Sequence, residues 1–143
     1  MDKRDEIIIL TNEFESDGFN ALREKGMKTF HFPMIKTSMN TFDKSLNIND
    51  YDFCIFTSKN GVKYFFKNKF IKKQNPKNIK VISIGTKTEN LLRELKFDNV
   101  YTAKKNYSDK LSIELKQTGI INSKRVLLVQ GNLAKNKLSE NLK

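Results

Sequence analysis

At 143 residues, with 38% hydrophobic and 30% charged residues, the chain has room for one core and the composition of a soluble globular protein. One cysteine excludes an internal disulfide, one histidine argues against a protein-built zinc site, and no apolar run approaches the roughly 20 residues of a membrane span. The net charge of +11 rests on scattered lysines, since only Arg4, Arg23, Arg93 and Arg125 of the 27 basic residues are arginine. Short clusters such as Lys67, Lys69, Lys72 and Lys73, or Lys104 and Lys105, therefore read as solvated surface or as attraction for an anionic partner. The apolar run near the N-terminus is too short for a signal-peptide core, which makes the cytoplasm the default location.

One unit recurs along the chain. Glu6–Thr11 reads as a strand, and the segment around Phe19, Leu22 and Arg23 as a helix stopped by Gly26. Met27–Phe32 reads as a second strand closed by Pro33. Between Met34 and Asp50 periodicity fades into Ser, Thr, Asn and Asp, as in a linker. Asp52–Thr57 is then a strand, Gly61–Phe70 a helix, Ile79–Ile84 a strand and Lys87–Leu95 a helix. A short strand at Asn99–Thr102, a helix at Ser108–Gln117, a strand at Arg125–Gln130 and a helix at Leu133–Leu142 complete the order.

Strands alternating with helices predict an α/β fold, flavodoxin-like or Rossmann-like, with a parallel sheet covered by helices on both faces. The strands "FCIF", "VISI" and "VLLV" are nearly continuous apolar runs, as strands buried on both faces should be. In such sheets ligands bind beyond the carboxyl ends of the strands, where loops enter helix N-termini. Four of these loops are small and polar: "TNEFES", "TSKNG", "GTKTEN" and "QGNLAK". Each is a potential anion site, and each also carries the residues preferred as N-caps. Thr86 with Glu89 fits a capping box, so the first duty of Thr86 would be helix stability.

Several mechanisms have no residues to carry them. Neither GxGxxG nor GxxxxGK[ST] occurs, so a dinucleotide fingerprint and a P-loop are excluded. The acidic residues of a receiver domain are missing after the first and third strands. His31 stands alone at a strand end and reads as structural, and Cys54 lies within an apolar strand as a core thiol. Paired carboxylates for acid–base work are not evident.

The order "ILTNE…ALREKG…FPMIK", "YDFCIFTSKNGVKYFF", "VISIGTKTENLLREL" and "RVLLVQGNLAKNKLSENL" resembles the uroporphyrinogen-III synthase family across almost the whole chain. The resemblance implies a lyase of porphyrin and haem biosynthesis that cyclises hydroxymethylbilane to uroporphyrinogen III, losing water and inverting the terminal pyrrole ring. It implies no metal and no organic cofactor, and two α/β domains joined by a linker, with the site in the cleft. Residues 1–34 would then be a βαβ piece of an incomplete first domain, 35–50 the linker, and 51–143 the second domain without its final strand. No position matches the active-site tyrosine of the family, so the chain is expected to be a fragment or a truncated gene product. The strands before about residue 40 should then show unpaired edges and apolar faces.

Within that resemblance the bilane, with a carboxylate on every acetate and propionate arm, needs donors spread around a cleft. Substrate binding falls to Thr11, Thr57, Ser58, Lys59, Asn60, Gly85, Thr86, Gln130, Gly131 and Asn132. Thr57 and Ser58 would cap and bind, Lys59 would meet a carboxylate, and Gly61 would let backbone approach closely. Thr88 matches the threonine that the family turns toward the substrate and is the catalytic candidate. No nucleic acid or membrane partner is expected, and the full-length protein should be a monomer. The alternative is a non-catalytic flavodoxin-like module that binds a small anionic ligand.

Overall fold

The computed structural model describes residues 6–16, 18–41, 45–104 and 108–143. Residues 42–44 of the expected linker and Lys105 of the basic pair lie outside them. The chain divides into two compact units, residues 1–38 and 39–143.

The first unit is a single βαβ. Strand β1 (Ile7–Leu10) pairs in parallel with β2 (Lys28–His31), Ile7 opposite Lys28 and Leu10 opposite His31, through helix α1 (Gly18–Glu24). Gly26 ends that helix as expected: its φ of +79° is costly for residues with a Cβ, and its N–H bonds the Arg23 carbonyl. Leu10 is buried, whereas Ile7, Ile9 and Phe30 are 58%, 60% and 48% exposed. Strand alternation puts these three on one side, so one face of this sheet is open and apolar.

The polar loop after β1 is held by its own unit. Arg23 meets Glu15 through both terminal nitrogens, at 3.0 and 2.9 Å, while its Nε donates to Thr29. His31 bonds the Asn12 carbonyl through Nε2 at 2.8 Å, which is the structural role its isolation suggested. Glu13 accepts both the N–H and the hydroxyl of Thr37.

The second unit is a four-stranded parallel sheet in the order β5-β4-β3-β6. Its strands are β3 (Phe53–Phe56), β4 (Lys80–Ser83), β5 (Val100–Thr102) and β6 (Val126–Val129). The helices are α2 (Lys59–Lys67), α3 (Lys69–Lys73), α4 (Thr86–Glu94), α5 (Ser108–Thr118) and α6 (Lys137–Asn141). Cys54, Phe56 and Val81 pack with Val62, Phe65, Ile71 and Leu92 from α2, α3 and α4 on one face. Phe53, Ile55 and Ile82 pack with Leu111, Leu115 and Leu138 from α5 and α6 on the other. Every residue of β3 is buried, which explains why its sequence shows no alternation. Phe56, Phe65, Phe66 and Phe97 form a ring cluster with neighbouring centroids 5.1–5.6 Å apart. Burial pushes the Cys54 thiol far above its ordinary pKa, so it is an inert core group.

Two helices differ from expectation. The one expected over Gly61–Phe70 starts earlier and breaks at Asn68, whose backbone is extended. The Asn68 carboxamide then caps α3, accepting from Phe70 N–H at 2.9 Å and Ile71 N–H at 3.4 Å. An asparagine side chain that competes with the helix for backbone donors is the physical cause. The helix expected over Leu133–Leu142 is confined to Lys137–Asn141, after a turn closed by Ala134 N–H to Gly131 O at 3.0 Å. Leu133 is 93% exposed, so the apolar face that suggested an earlier start has nothing to pack on.

Candidate functional site

The sheet order decides where a ligand can sit. From β3 the chain steps outward to β4 and β5, then returns to place β6 on the other side of β3. Helix α2, following β3, packs with α4, whereas α6, following β6, packs with α5 on the opposite face. The loops after β3 and β6 therefore diverge, and this is the position at which doubly wound sheets take their ligands. The expected residues Thr57–Asn60 and Gln130–Asn132 lie on these two loops. Gly85, Thr86 and Thr88 come after β4. Thr11 ends β1 in the other unit, exposed, with its carbonyl accepting Met34 N–H at 3.0 Å.

Around β3 the local chemistry is mostly capping. Ser58 is the N-cap of α2, extended at φ −158°, and its Oγ accepts Gly61 N–H at 3.1 Å. The Thr57 N–H and hydroxyl both point at the Val129 carbonyl, at 3.3 and 3.4 Å, tying the two diverging loops together. Lys59 is exposed and Asn60 half-buried at the first two helical positions, whose N–H groups have no partner within a helix. Contacts within the chain do not by themselves require a glycine at position 61. A Cβ on it would meet Ser58 Oγ at 3.5 Å and Val129 at 3.6 Å, ordinary contact distances.

The loop after β4 corrects the capping-box expectation. Gly85, at φ +80° and ψ 156°, is the N-cap of α4, and Thr86 is already the first helical residue and exposed. That backbone region is essentially closed to residues with a Cβ, so glycine is required there and no side chain caps the helix. Thr88 and Glu89 N–H both bond the Gly85 carbonyl, at 3.1 and 3.2 Å. Glu89 turns to Arg93 instead of back to Thr86, with 2.9 Å from Nε and 2.8 Å from Nη2. Arg93, and then the hydroxyl of Thr102, hold the Glu89 carboxyl below its ordinary pKa.

Thr88 is 4% exposed, in the first turn of α4. Its hydroxyl makes no hydrogen bond among the described residues, yet no buried polar side-chain atom there is left unsatisfied. At least part of its small remaining exposure is thus at the hydroxyl. Gln130 is half-buried, and Gly131 and Asn132 are exposed; a Cβ on Gly131 would meet open space.

Sequence reasoning missed one polar pair at this edge. Ser83, fully buried at the end of β4, bonds Thr102 at the end of β5, with 3.0 Å between hydroxyl oxygens. The signal was a serine inside the apolar run "VISI". No cluster of three or more His, Cys, Asp or Glu suited to a metal occurs among the described residues, and no helix there is long and apolar enough to cross a membrane.

Residues 19–143 match the family described as uroporphyrinogen-III synthase HemD. Among solved structures, the chain resembles the uroporphyrinogen III synthase of the extremely thermophilic bacterium Thermus thermophilus, at 16% identity and a TM-score of 0.53. That likeness covers 96% of this chain and 56% of the Thermus chain, so this sequence spans little more than half the length of its structural relative. No curated protein matches it. With 125 of its 143 residues inside the family match, the chain belongs to the uroporphyrinogen-III synthase family.

Proposed function

We propose that this chain supplies one wall of a hydroxymethylbilane-cyclising site, at the carboxyl edge of its four-stranded sheet. The reaction is closure of the linear tetrapyrrole to uroporphyrinogen III, with loss of water and inversion of the terminal ring. The observation that carries the reading is the strand order, which sends the loops after β3 and β6 to opposite faces beside the N-termini of α2 and α4, in a chain of this family. Free N–H groups at those helix starts, with the Lys59 ammonium, suit the carboxylates of the bilane. The residues proposed to hold them are Lys59, Asn60, Thr86, Gln130, Gly131 and Asn132; Thr11, at the end of β1, is proposed as a further donor to a carboxylate of the bilane.

Thr57, Ser58 and Gly85 serve the same site through backbone geometry. Thr88 is the proposed catalytic residue, its hydroxyl hydrogen-bonding the bilane as the leaving hydroxyl departs. Little else is asked of side chains. A flexible substrate held in the closing conformation already loses much of its barrier, and fixed donors stabilise the charge that develops. The protein is proposed to act as a monomer in the cytoplasm, without nucleic acid, membrane, metal or organic cofactor.

Hydroxymethylbilane supplied to the protein should yield the isomer with the inverted terminal ring, separable chromatographically from uninverted product. Thr88→Ala should lower kcat/KM by about 10-fold or more, the scale of one transition-state hydrogen bond of ~1.4 kcal/mol, and Thr88→Ser should recover most of it. Binding of the bilane without ring inversion would remove the catalytic reading and leave an anion-binding module.

A further inference from the structure

Residues 53–88 contain nine lysines and no aspartate, glutamate or arginine. They carry nine of the eleven net positive charges, because the other 18 basic and 16 acidic residues nearly cancel. The fold gathers this stretch into one layer, with α2 and α3 packed beside α4 on a single face of the sheet. The opposite layer is balanced: α5 carries Lys110 and Lys116 against Asp109 and Glu114, and α6 carries Lys137 against Glu140. We propose that the lysine face of α2 and α3 is an electrostatic guide for the polyanionic bilane, leading to the carboxyl edge of the sheet at Lys59. The guide rests on the function proposed above and accounts for how that substrate is captured.

Helical spacing makes the guide continuous. Val62, Phe65 and Ile71 turn inward to the core, which leaves Lys59, Lys67, Lys69, Lys72 and Lys73 exposed. None of these five has an ion pair among the described residues. Lys59, Lys63 and Lys67 recur every fourth residue, so they lie along one side of α2, about 6 Å apart along its axis. That spacing is shorter than the ~8 Å screening length of physiological salt, so their fields overlap. Lys63 lies over the Tyr64 ring at 5.7 Å, a contact that leaves its charge in place. Lys59 starts the row at the carboxyl edge, where α2 follows β3, and Lys80 ends it at the opposite edge, where β4 begins.

The helix dipole accounts for Lys67, Lys72 and Lys73, which sit in last turns. It opposes Lys59 and the exposed Lys87, in the first turns of α2 and α4. Like charges one turn apart along α2 also repel, and solubility asks only for charges of mixed sign. A single-sign field that ends at two helix N-termini suits the capture of a polyanion.

The test neutralises four lysines outside the site, Lys67→Gln/Lys69→Gln/Lys72→Gln/Lys73→Gln, in the whole chain. A control elsewhere in the second unit, Lys110→Gln/Lys116→Gln/Lys124→Gln/Lys143→Gln, changes the net charge equally. At about 0.1 M salt, stopped-flow association with hydroxymethylbilane should be about fivefold slower in the first variant, with dissociation unchanged. The control should stay within about twofold of the wild type, and at about 1 M salt all three proteins should converge. Arginine at the same four positions keeps the charge and should keep the wild-type rate. The guide is overturned if both glutamine variants slow association equally, or if the deficit survives high salt, which would mark direct contact instead of a field. A wild-type chain that never associates with the bilane would count against the proposed function. One that associates equally fast without the four lysines would remove the guide alone.

Discussion

The two units of this chain use the same βαβ grammar with opposite results. In residues 39–143 the central strand β3 has neighbours on both edges and helices on both faces, and all four of its residues are buried. In residues 1–38 the two-stranded sheet leaves Ile7, Ile9 and Phe30 about half exposed on one face. Their apolar content is comparable; the difference lies in how many elements are available to cover it. Two strands and one helix of seven residues bury too little surface to offset chain entropy, whereas four strands between two helical layers do.

The largest expected contrast is in hydrogen exchange. Amides of Cys54, Ile55 and Phe56 should be protected close to the global unfolding limit, and those of Ile7–Leu10 and Lys28–His31 should exchange orders of magnitude faster. Equal protection of β1 and β3 would break the comparison and require a cover for the open face.

Side-chain truncation should follow the same division. Phe56→Ala empties a fully buried position inside the ring cluster and should cost about 3–5 kcal/mol in denaturant unfolding. Phe30→Ala, at 48% exposure, should change stability by only about 0.5 kcal/mol while reducing self-association. A cost for Phe30 approaching that of Phe56 would mean that its face is covered in solution.

Within the second unit, the capping geometry separates the loops after β3 and β4. Ser58→Ala removes the acceptor of Gly61 N–H and should cost about 1 kcal/mol. Thr86→Ala should be nearly neutral, because Gly85 holds the N-cap and Thr86 offers no cap bond. Gly61→Ala should be tolerated or stabilise by up to about 1 kcal/mol, since its Cβ has room and alanine suits a helix better. Thermal melts of the three variants should rank them in that order of Tm, lowest first.

The smallest expected effect is the pH dependence carried by Glu89. Its folded pKa is depressed by Arg93 and Thr102. The unfolded chain therefore binds the proton first as pH falls, and the stabilisation is present above the ordinary carboxylate range near ~4.3. It is lost as pH drops through the lower folded value. Glu89→Gln should flatten that limb of the stability–pH curve slightly, the pair being partly exposed and screened by salt. A steeper acid limb in the variant would contradict the sign.

Much of this molecule could be read before any coordinates. The apolar runs "FCIF", "VISI" and "VLLV" identified strands buried on both faces, because only a two-sided cover removes alternation. Gly26 announced a helix stop because few other residues take its φ cheaply. The family blocks named the loops that follow β3, β4 and β6. The misreadings were local contests between side chain and backbone. Asn68 took donors from the helix and split it, and Gly85 claimed the cap that Thr86 was expected to hold. Both outcomes turn on a backbone angle that composition does not specify.

The sequence by itself determined the alternation of strands and helices, the core of the central strand and the membership of the family, since these rest on periodicity and residue type. Only the tertiary structure decided that β6 returns to the far side of β3, so that the loops bearing Thr57 and Gln130 leave neighbouring strand ends. It alone paired Ser83 with Thr102 and directed Glu89 to Arg93. Strand order and side-chain partnership between segments distant in the chain come from long-range packing, and local sequence carries no record of which neighbour arrives.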